Sequence, residues 1–240
     1  MENQIYLIKV DNAEINLKIL YEDNHIIVVE KPVNIPSQGD KTGDEDMLTI
    51  IKKYLIEKYN KPGDAYLGLV HRLDRPTGGV MVFAKTSKAA SRLSEQIREK
   101  KLEKEYLCII DGKMDKPADI FEDYLVKNEK NNLSRVTDKN NKNAKLAKLE
   151  YEVLKYDEKI NLSLVRVKLY TGRHHQIRVQ FASRNHSLYG DQKYGTRGRG
   201  KQLCLWAYKL SFVHPTTKEY LEFTDYPEPI GSWVILKDEE

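Results

Sequence analysis

The 240-residue sequence predicts an α+β fold: a single domain with a mixed, mostly antiparallel central β-sheet flanked by helices. Three observations lead there. Short aliphatic runs outnumber segments of helical period. Many of those runs follow one another directly, as strands of an antiparallel sheet do. No repeat of fixed period and no Gly/Ser-rich linker divides the chain. Hydrophobic residues make up 40% and charged residues 32%, enough apolar material to bury a core.

The elements follow in order. Residues 5–20 read as extended. Residues 25–30 are a strand stopped by Lys31-Pro32, and 33–46 are a polar loop. Residues 47–59 carry Leu48, Ile51, Leu55 and Tyr59 at helical spacing. Two short strands, 66–70 and 80–84, flank a turn with Pro76, Gly78 and Gly79. Thr86-Ser87 offers an N-cap for a helix ending near Lys101, with Ala90, Leu93 and Ile97 on one face. Residues 105–110 are a strand, and 119–137 look like short strands with loops. Two strands, 149–156 and 162–170, are joined by Asp157-Glu158-Lys159. A helix over 174–184 has Ile177 and Phe181 on its inner face. Strands at 203–213 and 220–224 and a short helix over 232–240 close the chain. The Asn/Lys-rich stretch 127–148 reads as an insertion or mobile loop.

Composition narrows the function classes. No apolar run approaches the ~20 residues that span a bilayer, and the first residues lack a signal-peptide pattern. The two cysteines, Cys108 and Cys204, sit in apolar runs and read as packed reduced thiols. These features point to the cytoplasm and away from a membrane. The net charge of +4 is uneven: residues 1–50 hold ten acids against four bases, whereas 166–201 hold nine bases against one acid, Asp191. Residues 127–148 add seven bases against two acids. Such asymmetry suggests a face that meets a polyanion.

Three segments carry the chemistry. The first is His71-Arg72-Leu73-Asp74-Arg75-Pro76-Thr77-Gly78-Gly79, an acid between two arginines on a tight turn. Flanking guanidiniums hold a carboxylate ionised and attract phosphate. An Asp in such a place also closes turns through a backbone N–H, so this motif alone leaves both readings open. The second is Lys104-Glu105-Tyr106, a strand start bearing a tyrosine. The third is Thr171-Gly172-Arg173-His174-His175-Gln176-Ile177-Arg178, where a glycine turn opens a helix rich in polar residues. A surface helix rarely spends its first two turns this way without a partner. Beside it, Tyr189 to Gly195 form a loop of turn formers with two tyrosines.

In this order the segments resemble the RluA-type RNA pseudouridine synthases. The family's loop His-Arg-Leu-Asp-x-x-Thr-Ser-Gly is matched by residues 71–79, with Gly78 in place of Ser. Its lysine-x-tyrosine is matched by Lys104 and Tyr106. Its Gly-Arg-x-His-Gln-(Ile/Leu)-Arg is matched by residues 172–178, and its Gly-Asp-x-x-Tyr-Gly by 190–195. An early strand leading to Lys31-Pro32 and a late one leading to His214-Pro215 also match.

The resemblance implies a pseudouridine synthase-like catalytic domain over residues 20–240. Residues 1–19 are then an N-terminal extension too short for an S4-type RNA-binding domain. It implies that Asp74 is the catalytic aspartate, that Tyr106 stacks on the target base, that Arg178 pairs with the aspartate, and that Arg72 enters the RNA where the base leaves. His71, Lys31, Arg173, His175, Gln176, Lys193 and Tyr194 are the implied RNA contacts. The partner is RNA, either ribosomal (of the large subunit above all) or transfer RNA. The reaction is a rearrangement of uridine without oxidation, reduction or hydrolysis, so it requires no cofactor and no metal.

Two decoys are set aside. Gly195 to Lys201 fits the first seven positions of a P-loop, but Gln202 stands where Ser or Thr must bind Mg²⁺, and a strand follows instead of a helix. His174-His175 has no further His or Cys at ligand spacing. The competing function is a non-catalytic RNA-binding protein that keeps the fold, which does not need Asp74, Tyr106 and Arg178 together. A glycosidase needs paired carboxylates, and no second acid stands beside Asp74 in sequence.

Overall fold

The structure, a computed structural model, describes residues 4–10, 13–196 and 198–238. The chain runs β1 (Gln4–Val10), β2 (Ala13–Glu22), β3 (Ile26–Lys31), α1 (Met47–Lys58), β4 (Gly68–Leu69), β5 (Gly78–Ala84) and α2 (Ser87–Arg98). It continues with β6 (Glu103–Asp111), β7 (Ala118–Asn128), β8 (Leu133–Thr137), β9 (Lys145–Asp157), β10 (Leu162–Leu169) and α3 (Gln176–Ala182). It ends with β11 (Leu205–Val213), β12 (Tyr220–Thr224) and a 3₁₀ helix, Gly231–Asp238. The class is α+β as the sequence predicts, and every pairing whose register is described is antiparallel. Among the described residues no helix is long and apolar enough to cross a membrane. Backbone contacts divide the chain into two compact units: Met1–Leu102 with Ala207–Tyr226, and Glu103–Trp206 with Pro227–Glu240.

In the first unit the strand order is β1-β2-β3-β5-β11, with β4 beside β5 and β12 beside β11. β3 and β5 are buried on both faces, which explains their unbroken aliphatic runs. Ile26, Val28, Val80, Val82, Leu210 and Phe212 form one core cluster, closed over by Ala89 and Leu93 of α2. Thr86 caps α2 by accepting from the Ala89 N–H. Asp46 caps α1 through Leu48 and Thr49, and the helix buries Met47, Ile50, Ile51, Tyr54 and Leu55, an i, i+3, i+4 stripe. The hairpin of β1 and β2 pairs on to β3, so β2 crosses the boundary expected at residue 19.

In the second unit the order is β6-β10-β9-β7-β8. The stretch 127–148 is built, not looped: β8 pairs with β7, and β9 starts at Lys145. Among its lysines stands a sparse apolar set, with Ala147 buried and Leu133 and Val136 half-buried, which is all that a ribbon with one face toward water requires. α3 docks through Phe181, whose ring meets Phe121 and Tyr151 at centroid distances of 5.2 and 5.7 Å. The helix is shorter than the sequence suggests. It begins at Gln176 because His175 is left-handed, at φ 53°. All of Gln176 to Phe181 is buried, so its polar residues must find partners inside the protein.

Candidate active site

The residues singled out by sequence fall into two clusters, one in each unit. In the first, Asp74 opens a turn closed by the Thr77 N–H donating to the Asp74 carbonyl at 2.9 Å. Three side chains fix the backbone around it. The Ser37 hydroxyl donates to the Leu73 carbonyl (2.9 Å) and accepts from the Leu73 N–H (3.1 Å). Lys31, 0% exposed, donates to the carbonyls of Pro32 (2.8 Å), Ile35 (2.6 Å) and Arg75 (3.1 Å). His71 Nε2 accepts the Val82 N–H at 3.1 Å. β4 pairs with β5 only at Gly68↔Ala84 and Leu69↔Phe83, and the imidazole takes the place of a carbonyl where β4 has left. Asp74 remains half-buried and Arg72 exposed.

Two expectations change here. Lys31 was expected at the RNA surface, but it is buried under the turn. Burial pushes its ammonium down to about 7, the Asp74 charge opposing and Arg75 adding to the shift. Arg75 was expected to flank the Asp74 carboxylate. Its guanidinium instead meets the Asn34 carbonyl (3.0 Å), Thr42 Oγ1 (3.1 Å) and Asp44. At the other end of the turn Gly79 has φ +115°, and a Cβ there would lie 2.2 Å from the Ala207 carbonyl oxygen. Only glycine fits.

The second cluster is built on α3. Arg178, 4% exposed, donates through Nε and Nη2 to the two carboxylate oxygens of Asp191, both at 2.7 Å. Asp191 Oδ1 also accepts the N–H groups of Lys193 (2.9 Å) and Tyr194 (3.1 Å), and the guanidinium lies 5.3 Å from the Tyr194 ring centroid. The sharp turn before Asp191 needs Gly190, at φ +77°, where a Cβ would lie 1.9 Å from the Gln202 carbonyl oxygen. Gln176 accepts from Thr171 Oγ1 (2.7 Å) and the Arg173 N–H (3.1 Å) and donates to the Lys148 carbonyl (3.2 Å). His175 Nδ1 bonds the Tyr194 hydroxyl at 2.7 Å. Burial, then the nearby Arg178 charge, pushes His175 down to about 2, so it is neutral. His174 stacks on it at 3.7 Å and bonds Ser134 Oγ at 2.8 Å. Gln176 and His175, expected to touch RNA, are thus buried supports. Arg173 and Lys193 are exposed, Tyr194 is half-buried, and Tyr106 is buried on β6 opposite Val167.

The basic block 166–201 also reads differently in the structure. Arg166 pairs with Glu152, Lys168 with Glu103, Arg178 with Asp191, Arg184 with Asp123 and Arg199 with Asp111. Exposed Arg173, Lys193 and Lys201 remain from it as candidates to meet a polyanion, and Arg197 lies outside the described residues. Sequence reasoning missed Ser37, for which nothing local gives a sign. It also gave Asp191 no role, although a sole acid among nine bases is a sign. Among the described residues no helix stands between Lys201 and β11. Cys108 and Cys204 are buried free thiols, both pushed up by burial.

Residues 25–183 match the family model described as RNA pseudouridylate synthase. The chain belongs to the RNA pseudouridylate synthase family. It is 36% identical over 239 residues to an RNA pseudouridine synthase of Aquifex aeolicus, covering 94% of this chain and 73% of the relative. It is 31% identical to the ribosomal large subunit pseudouridine synthase C of Haemophilus influenzae, covering 88% of this chain and 65% of the relative. The chain therefore spans about two-thirds of the length of such family members. Among solved structures, human RNA pseudouridylate synthase domain containing 4 matches with a TM-score of 0.73 at 22% identity, covering 88% of each chain. That likeness is one of fold.

Proposed function

We propose that this protein isomerises uridine to pseudouridine in structured RNA, with large-subunit ribosomal RNA as its substrate and Asp74 as the catalytic residue. The observation that carries the reading is the support of the Asp74 turn. Lys31, Ser37 and His71 spend their polar atoms on backbone at 73, 75 and 82. They stiffen the chain on both sides of one half-buried carboxylate, as a preorganised catalytic group requires. An RNA-binding surface without chemistry has no need of such a turn.

The reaction breaks the N1–C1′ bond, turns the uracil, and forms the C5–C1′ bond. The C5 proton then leaves, and N1 ends protonated. A carboxylate serves either by attacking C1′ or by removing the C2′ proton. The target must leave its stack to be reached. Tyr106 offers the base an aromatic face with a polar tip, and Arg72, exposed beside the turn, fills the space the base vacates. Arg178 has the Nε–Nη2 edge of its guanidinium committed to Asp191, and the family resemblance assigns this arginine to pair with the catalytic aspartate. Arg173 and Lys193 take backbone phosphate.

The test uses the purified full chain and an unmodified transcript of the large-subunit ribosomal RNA. Wild type should convert specific uridines, and Asp74→Asn should convert none while binding the transcript with little change. Dialysis against EDTA should leave activity intact once the RNA fold is shown to be preserved. Near-wild-type turnover by Asp74→Asn contradicts the assignment.

A further inference from the structure

Among the described residues Lys104 is a cation with no acidic partner. It stands on β6 two residues before Tyr106, so strand alternation puts the two side chains on the same face. The acids on either side of it, Glu103 and Glu105, point to the opposite face. There Glu103 bonds Lys168 Nζ at 3.1 Å, and Glu105 lies opposite Lys168 in the β10 register. Among the described residues no carboxylate acts on Lys104; burial alone lowers its pKa. Yet the side chain is only half-buried, desolvated without being sealed. Its Nζ lies 3.7 Å from where a Cβ on the exposed Gly172 would be. Gly172 opens the loop that leads through exposed Arg173 to α3. A larger residue there would cover the ammonium, and glycine leaves it reachable. A desolvated charge without a counter-ion is costly, and an arriving anion relieves that cost.

We infer that Lys104 binds the phosphate of the target nucleotide, next to the tyrosine whose ring meets the base. The inference rests on the proposed activity and adds a contact to it. Five bases of the 166–201 block already hold acids, so much of the block's charge is spent within the protein. Lys104 is not spent. Its place on a strand beside Tyr106, rather than on a loop, fixes the distance between the base and its phosphate.

The test reads the anion without turnover. In the full chain with ¹⁵N-lysine, the Lys104 Nζ signal is assigned by its loss in Lys104→Arg. Its titration is followed with uridine 5′-monophosphate, inorganic phosphate or uridine. The nucleotide should raise the midpoint by about half a pH unit or more, phosphate by less, and uridine not at all. The exposed Lys139 and Lys142 should not move. In parallel, Lys104→Met should lower the salt slope of binding to a ribosomal RNA transcript by about one, and Lys104→Arg should preserve it. A midpoint unmoved by the nucleotide overturns the inference. So does an equal shift at Lys139 and Lys142, which marks non-specific ion binding, or an unchanged slope in Lys104→Met. Because these readouts are of binding, they can fail while uridine isomerisation stands, and the reverse.

Discussion

Replacing Asp191 with Asn tests the centre of the second cluster. The Asp191 carboxylate, with a side chain 0% exposed, accepts Arg178 Nε and Nη2 at 2.7 Å each, Lys193 N at 2.9 Å and Tyr194 N at 3.1 Å. Asparagine keeps an oxygen for the three donors on Oδ1. It turns an NH₂ group toward Arg178 Nε–H, so two donors face each other, and it removes the charge. Removing one partner of a buried pair costs about 3–5 kcal/mol. The retained bonds put this substitution at the lower end, about 3 kcal/mol. That is a large part of the roughly 5–15 kcal/mol that holds a domain together. With a urea slope of about 1–3 kcal/mol per molar, the unfolding midpoint should fall by about 1 M or more. Both tryptophans, Trp206 and Trp233, belong to the second unit, so their fluorescence reports its unfolding directly. Turnover measured well below the new midpoint should also fall, because Arg178 is no longer held from behind. A midpoint shift under about 0.2 M would show that the pair does not organise this cluster.

Other outcomes follow from the same geometry. His175 is neutral in the folded protein, with its pKa pushed down to about 2 from 6.5. Below pH 6.5 the unfolded chain binds a proton that the folded one does not, so stability falls with pH, by about 2 kcal/mol at pH 5. Glu30, pushed up to about 6 by burial and then by Asp225, acts in the opposite sense between about 4.5 and 6. The measure is therefore the difference between wild type and His175→Gln in urea unfolding at pH 7 and pH 5, and equal losses would contradict the assignment. Gly79→Ala should cost several kcal/mol, with soluble yield and melting temperature both reduced, since its Cβ would meet the Ala207 carbonyl at 2.2 Å and its φ is +115°. Arg72→Ala should weaken activity on a paired target and recover on one already unstacked. Arg178→Lys keeps charge but loses the fork and should be impaired equally on both, and equal recovery of the two variants would sink this division of labour.

The strands and helices were legible where apolar spacing is regular. β3, β5, α1 and α2 lie where their aliphatic patterns put them. α3 was legible as a helix but not as a buried one. Its glutamines and arginine look like a surface until Lys148, Asp123 and Asp191 are seen to satisfy them. Short strands over 119–137 were legible, but the pairing of β8 and the early start of β9 at Lys145 were read as a loop, because this lysine-rich stretch carries few apolar markers. The Asp74 turn announced itself by its residues, but not its supports. Ser37 bonds a residue 36 positions away, and no local pattern encodes such a contact. The basic block overstated its free charge because three of its acidic partners, Glu103, Asp111 and Asp123, lie on strands distant in sequence.

The central claim is that Asp74 converts uridines of large-subunit ribosomal RNA. A pseudouridine map of total RNA addresses it most directly, taken from cells with the gene, without it, and with Asp74→Asn in its place. The account predicts one or a few large-subunit positions modified with the gene, and the same positions left as uridine both without it and in the Asp74→Asn cells. Identical maps in all three, or full modification in the Asp74→Asn cells, would contradict it.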